Sequence, residues 1–389
     1  MALMKILYHH RTVSKDGQDV HIREMVAALG RLGHEVVVAA PPAADGNAVA
    51  SLRRGLPKRL SEALELAYSG PDFARLARAW ALHRPDVLYE RYSLFSLAGP
   101  WLKRRTGIPM LLEVNAPLCD ERAIHGGLAL PRLARWSERT AWRAADAVLP
   151  VTRVLAGVVA DAGIPAERIH VIPNGIDRVR FATADGRAAR RRLGLDGRLI
   201  LGFCGFLRSW HGLGRVIEAM AGIPDPNLHL LLVGDGPARA DLESHARARG
   251  IADRMTVLGI VPRDEIPDMV SAFDIALQPS AVEYASPLKL FDYMAAGRAI
   301  VAPDQPNIRE VLRHRHDSLL FPPGDPAALG AAIALLCGDA ALRRRLGDAA
   351  AGTILHGAYT WDANAARVET LARRLLAAES GHPLAVSPR

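Results

Sequence analysis

Short apolar runs alternate with stretches of helical periodicity along the whole chain. In the first half the runs are KILYH (5–9), EVVVAA (35–40), DVLYERY (86–92), PMLLEVN (109–115), AVLPV (147–151) and RIHVIP (168–173). In the second they are RLILGFCG (198–205), LHLLLVG (228–234), MTVLG (255–259), DIALQP (274–279), AIVAP (299–303) and SLLF (318–321). Helical patterns such as VHIREMVAALGRLG (20–33) and LARWSERTAWRAA (133–145) separate them. Strands apolar on both sides, rather than alternating, belong in parallel sheets covered by helices on both faces. The alternation occurs twice and predicts an α/β protein of two doubly wound, Rossmann-like domains. Pro173 and the Asn174-Gly175 pair in VIPNGIDRVRF (171–181) form turns and mark the boundary. The predicted parts are a first domain over 1–173, a second over 174–356, and a segment over 357–379 carrying the helix WDANAARVETLARRLLAAE (361–379). The last ten residues, SGHPLAVSPR (380–389), read as a flexible tail.

The 389 residues suffice for two domains, and a hydrophobic content of 50% fills two cores. No apolar run reaches the roughly 18–20 residues of a membrane-spanning helix. The opening MALMKILYHH is too short, and turns polar too soon, for a signal peptide. Cys119, Cys204 and Cys337 are scattered and odd in number. That points to reduced thiols and a cytoplasmic protein, and no metal-ligand spacing surrounds them. The net charge of +8 is uneven: residues 1–173 hold 23 Lys and Arg against 17 Asp and Glu, and the remainder 26 against 24. Basic clusters stand at Arg53, Arg54, Lys58 and Arg59, and at Lys103, Arg104 and Arg105. The segment SLRRGLPKRLSEALELAYSG (51–70) reads two ways. It is either a basic face for anionic lipid or polyphosphate, which would hold the protein peripherally at the inner face of a membrane, or a solvated helix face. No nucleic-acid module or basic–aromatic interleaving appears, which argues against a nucleic-acid partner.

The segment EYASPLKLFDYMAAG (283–297) holds the most specific chemistry. An apolar strand, DIALQPS (274–280), runs into a polar turn containing Ser286, Pro287 and Leu288, and the turn opens onto an amphipathic helix ending at Gly297. A helix start aims backbone N–H groups and a positive dipole end at a ligand. Lys289 adds a cation there, and Asp292 sets a carboxylate about one turn further on the same face. Dipole and cation suit the phosphates of a nucleoside diphosphate, and a carboxylate suits its ribose hydroxyls.

That segment resembles the donor loop of family-4 retaining glycosyltransferases, which have the GT-B fold. GHEVVV (33–38), ADAVLPVT (145–152), VIPNGID (171–177), VGDGP (233–237) and SLLFPPGDPAAL (318–329) follow the same family's order and spacing. The resemblance implies two Rossmann-like domains facing a central cleft, acceptor on the first and donor on the second, with the last helix crossing back near Trp361. It implies transfer of a sugar, with retention, from a nucleotide-sugar donor to an acceptor hydroxyl in glycan, polysaccharide or glycolipid assembly. The implied partners are the nucleotide sugar and a carbohydrate or lipid-linked acceptor. No cofactor is implied, and no metal, since the donor half shows no Asp-x-Asp-like pair at a strand end.

The sequence departs from the family at several places. In FCGFLRSWHGLGRVIEAM (203–220) the family's Gly-Arg and Lys-Gly pairs, counted from Gly205, fall on Phe206 and His211. Arg208, two residues displaced, and Lys289 are the candidate substitute cations. The family's two acids, eight positions apart, place Asp292 second and Tyr284 first, with Glu283 one residue off. The first loop (8–25) carries Gly17 where the family has a Gly-Gly pair, with His9, His10 and His21 nearby. Asn115 stands where related enzymes often carry a histidine. An amide cannot shuttle a proton, so Asn115 would orient a sugar and His125 would be the alternative. Glu113 leaves the same strand face as Asn115 and reads as a buried carboxylate paired with Arg91. GDGPARADLE (234–243) is a weak dinucleotide signal and more plainly a loop near the base, with Ile260 and Val261. These departures leave open a GT-B epimerase, or a non-catalytic sugar-nucleotide-binding protein. A phosphorylase would need a pyridoxal lysine or a second phosphate site, and neither is evident.

Overall fold

The fold is that of a computed structural model, described over residues 3–13, 17–42, 55–357 and 359–379. Arg53, Arg54 and the segment 380–389 lie outside these residues. The chain divides into two compact units, Met1–Pro173 with Trp361–Arg389, and Asn174–Thr360.

In the first unit β1 (Lys5–His9), β2 (Glu35–Ala39), β3 (Val87–Arg91), β4 (Met110–Val114) and β5 (Ala147–Pro150) form one parallel sheet in the order β2-β1-β3-β4-β5. Between them run α1 (Gly17–Arg31), α2 (Lys58–Ala67), α3 (Ser69–His83), α4 (Ala98–Thr106) and α5 (Pro131–Ala144). The central strands β3 and β4 are buried along their whole length, as strands covered on both faces must be. Tyr8 and Tyr89 stack at 4.9 Å between ring centroids in adjacent strands. The C-terminal helix Trp361–Glu379 packs on α1, with Trp361 edge-on to His21 at 4.9 Å and Asn364 donating to the Pro173 carbonyl at 2.6 Å.

One predicted strand does not form. RIHVIP (168–173) runs beside β5, and the N–H groups of His170 and Ile172 reach the carbonyls of Val148 and Pro150. Only a single parallel bridge, Val148 with Ile169, results. Pro150 and Pro173 have no N–H to donate, so the ladder cannot lengthen.

In the second unit the strands are β6 (Leu199–Cys204), β7 (Leu228–Val233), β8 (Met255–Val257), β9 (Ile275–Leu277), β10 (Ala299–Pro303) and β11 (Ser318–Phe321). They form a parallel sheet in the order β11-β10-β9-β6-β7-β8. The helices that matter to the site are α6 (Leu213–Ala221) after β6, α7 (Arg239–Ala248) after β7 and α8 (Leu288–Ala295) after β9. Two apolar layers cover the sheet, one containing Phe273, Phe291 and Tyr293, the other Phe203, Val216 and Leu329. Ligands of such sheets sit outside the carboxyl ends of the strands, and β6 lies where the strand order reverses. Among the described residues no single helix is long and apolar enough to cross a membrane.

Candidate active site

The residues expected on the donor side meet at the carboxyl ends of β6 and β9. β6 runs out at Cys204, and Gly205 takes a positive φ of 142°. A Cβ there would lie 3.2 Å from both Cε and Nζ of Lys289, so glycine makes room for the lysine to lie along the loop. Gly234, at φ 141°, packs against the Gly205 carbonyl, where a Cβ would come within 2.1 Å. Lys289, half-buried in the first turn of α8, rests its ammonium 4.1 Å from the centre of the Phe203 ring. Burial lowers its pKa to about 8, against the pull of Cys204 and Asp292. Asp292, one turn on, is pushed up to about 7 by burial, with Arg180, Arg263 and Lys289 opposing. Among the described residues neither Lys289 nor Asp292 has a hydrogen-bonded or ion-paired side chain.

Arg208 and His211 lie on the loop that leaves β6. The Arg208 guanidinium sits over Phe206 and over Trp210, 4.7 Å from each ring centre. His211 packs its ring 5.1 Å from Phe203. Burial, then Lys289, then Arg208 lower its pKa to about 3, so the imidazole is neutral. Its Nδ1 is buried with no partner. Lys289 and His211 share the Phe203 ring, and the His211 ring lies 6.1 Å from the Trp210 ring that Arg208 covers, so the three form a single cluster. Trp210, Ser209, Arg215 and Ser280 line a cavity of about 380 Å³ at the start of α6.

The turn before α8 is tied down by residues distant in sequence. The buried Ser286 hydroxyl accepts from the Asn174 N–H at 3.3 Å, and the Asn174 amide donates to the Ser286 carbonyl at 2.5 Å. Asn307 donates to the carbonyls of Val282 and Ala285 at 3.0 and 2.8 Å. Pro287 supplies the extended residue before the helix, and Leu288 opens it. Glu283 is exposed between these anchors, and no described contact joins it to Lys289 or Asp292. Ile260 is 86% exposed on the loop that follows β8. Among the described residues no group of three or more His, Cys, Asp or Glu could hold a metal ion.

The strand ends of the first unit are different. Glu113 is buried and receives Arg91, His21 (2.8 Å), the Tyr89 hydroxyl (2.7 Å) and the Asn115 amide. Against burial, His21 and Arg91 hold its pKa far below the usual carboxylate range. Asn115 and His21 thus spend hydrogen bonds on Glu113, and Glu113 pairs with Arg91 as expected from the sequence. His9, fully buried, bridges Glu90 and Asp72 at 3.0 Å each. Burial opposes its charge, but the two carboxylates raise its pKa to about 9. Gly17 is the exposed first residue of α1, and His125 is exposed on the turn Arg122–Gly126.

Sequence reasoning missed Asn174, Asn307 and the rings of Phe203, Phe206 and Trp210. Asn174 was visible only as a turn residue, because its partner Ser286 is 112 positions away. Phe206 signalled itself only as the wrong residue at a cation position.

Comparison with known proteins covers both units. The family model described as Glycosyltransferase Family 4 matches residues 15–180, and that described as Glycosyl transferases group 1 matches residues 186–353. The chain is 30% identical over 307 residues to the 2-deoxystreptamine N-acetyl-D-glucosaminyltransferase of Streptomyces fradiae, covering 74% of this chain and 70% of that protein. It is 28% identical over 388 residues to the D-inositol 3-phosphate glycosyltransferase of Thermobispora bispora, covering 90% and 88%. In fold it matches HepE of Anabaena in complex with UDP, with a TM-score of 0.74 at 21% identity over 95% of this chain and 100% of that one. The two parallel-sheet units are those of the GT-B fold, and the protein belongs to the family-4, group 1 glycosyltransferases.

Proposed function

We propose that this glycosyltransferase is a retaining enzyme whose second unit binds the nucleoside diphosphate sugar and whose first unit takes the acceptor. Gly205, Arg208, His211, the Ser286-Pro287-Leu288 turn, Lys289 and Asp292 form the donor side. The observation that carries this is the pair of cations, Arg208 and Lys289, set at the strand ends with no ion-paired carboxylate on either among the described residues. As the bond between the sugar carbon and the phosphate oxygen breaks, charge grows on the departing diphosphate. Cations already in place stabilise that charge without reorganising. Asp292 accepts hydrogen bonds from the ribose hydroxyls. The acceptor oxygen attacks from the face the diphosphate leaves, its hydroxyl proton passing to the departing phosphate oxygen, and Asn115 orients the acceptor sugar on the first unit.

Calorimetry against UDP, GDP, ADP and dTDP tests the donor site, with UDP first because HepE was solved with it. One nucleotide should bind, and Lys289→Ala should cost turnover more than donor affinity. If none binds, or if Lys289→Ala turns over as wild type does, the reading is wrong. The first acceptors to offer are 2-deoxystreptamine and D-inositol 3-phosphate, named for the two relatives.

The three free cysteines fit a cytoplasmic enzyme. Peripheral contact with anionic lipid is supported by α2, which exposes Arg59 together with Leu60, Ala63, Leu64 and Ala67 along one side, while Lys58 donates to the Gly126 carbonyl. Each basic residue near such a surface contributes about 1 kcal/mol. Binding to vesicles should rise with anionic content and fall with salt. Equal absence from anionic and neutral vesicles would leave a solvated face.

A further inference from the structure

Arg208 stands two residues from the place where the family keeps its arginine, on a loop rather than an element. A long side chain on a loop ordinarily has to be ordered as it meets its ligand, and that ordering weakens the contact. Here the guanidinium already lies 4.7 Å from the centres of two rings, Phe206 and Trp210, at positions two before and two after it. Both rings are 46% exposed, so neither is there to fill the core. The backbone beneath is fixed: Leu207 is fully buried and its N–H reaches the Asp235 carbonyl at 2.8 Å, while the Arg208 carbonyl accepts from the His211 N–H at 3.1 Å. Elsewhere in this unit Arg190, Arg239 and Arg249 rest on carboxylates. Arg208 rests on aromatic faces instead.

The difference has a chemical consequence. A carboxylate would occupy the guanidinium's N–H groups and cancel its charge. A ring attracts the cation through its face and leaves the N–H groups, which lie in the guanidinium plane, to a ligand. We infer that Phe206 and Trp210 are positioning residues that hold Arg208 ready, still charged and with its N–H edge open, for the leaving diphosphate. This rests on the reading of Arg208 as a diphosphate cation. The rings act through Arg208 and touch neither phosphate nor sugar in this role.

The test is calorimetry with whichever of UDP, GDP, ADP and dTDP binds, and with its monophosphate, on the full chain. Phe206→Leu and Trp210→Leu should each weaken the diphosphate roughly fivefold, the size of one exposed cation–π contact, and leave the monophosphate within about twofold. Phe206→Tyr and Trp210→Phe, which keep a ring, should bind as wild type and cover the case where a leucine variant fails to fold. In an Arg208→Ala background Trp210→Leu should cost nothing further. The inference is overturned if Trp210→Leu weakens mono- and diphosphate equally, or if its effect persists without Arg208. If instead Arg208→Ala binds the diphosphate as wild type does, the donor-site reading of Arg208 fails, and the positioning role fails with it.

Discussion

At the carboxyl end of the first sheet, buried charges answer one another: Glu113 holds Arg91 and His21, and His9 lies between Glu90 and Asp72. At the same end of the second sheet, Lys289 and Arg208 lean on aromatic rings, and Asp292 stands one turn from Lys289 with no bonded partner among the described residues. The direction of the pKa shifts separates the two. In the first unit partners favour the charged form, so Glu113 goes down and His9 goes up. In the second unit burial favours the neutral form, so Lys289 goes down and Asp292 goes up. Charges that stabilise each other hold a fold together. Charges that the fold holds at a cost are relieved when a ligand of the right sign arrives.

The largest effect that could break this comparison is at Glu113. Glu113→Ala would leave Arg91, His21 and the Tyr89 hydroxyl buried without their acceptor. Removing one partner of a buried pair costs about 3–5 kcal/mol. Urea unfolding should show a loss of that order, whereas Lys289→Ala should unfold no earlier than wild type. If Glu113→Ala keeps full stability and loses only activity, Glu113 belongs to the chemistry and the two strand ends are not different in kind.

The same contrast explains what could be read from the chain beforehand. Strands announced themselves as apolar runs because both faces of each sheet are covered, and RIHVIP failed only because two prolines deny it a ladder. The pairing of Arg91 with Glu113 was legible because the two are direct neighbours in register between β3 and β4. Lys289 and Asp292 were legible because three residues on a helix is one face. Contacts closed by the tertiary fold were not: Asn174 on Ser286, and Asn307 on Val282 and Ala285. The loop after β6 was half legible. Its missing cations showed as departures, but that Phe206 and Trp210 flank the displaced arginine in space depends on a backbone no periodicity describes.

The smallest and most discriminating effect is in the pH dependence of nucleotide binding. Asp292 must be ionised to accept from ribose hydroxyls, so affinity should fall as pH drops through about 7. Lys289 must be protonated, so affinity should also fall as pH rises through about 8. The nucleotide's terminal phosphate adds its own acid limb near pH 6. Asp292→Asn separates these: its acid midpoint should move down toward the phosphate's, its alkaline limb should stay, and its affinity should drop about tenfold at pH 7.5. Stability should move the other way. Because the folded pKa of Asp292 lies above its unfolded value, its contribution is fully present only at low pH and is lost as pH rises through about 7. The asparagine variant, neutral throughout, should therefore unfold at a higher temperature than wild type at pH 8, with the gap closing near pH 4. A variant that binds nucleotide with the wild-type pH profile, or that melts below wild type at pH 8, would show that Asp292 is stabilised in place like Glu113 and not held in wait for a ribose.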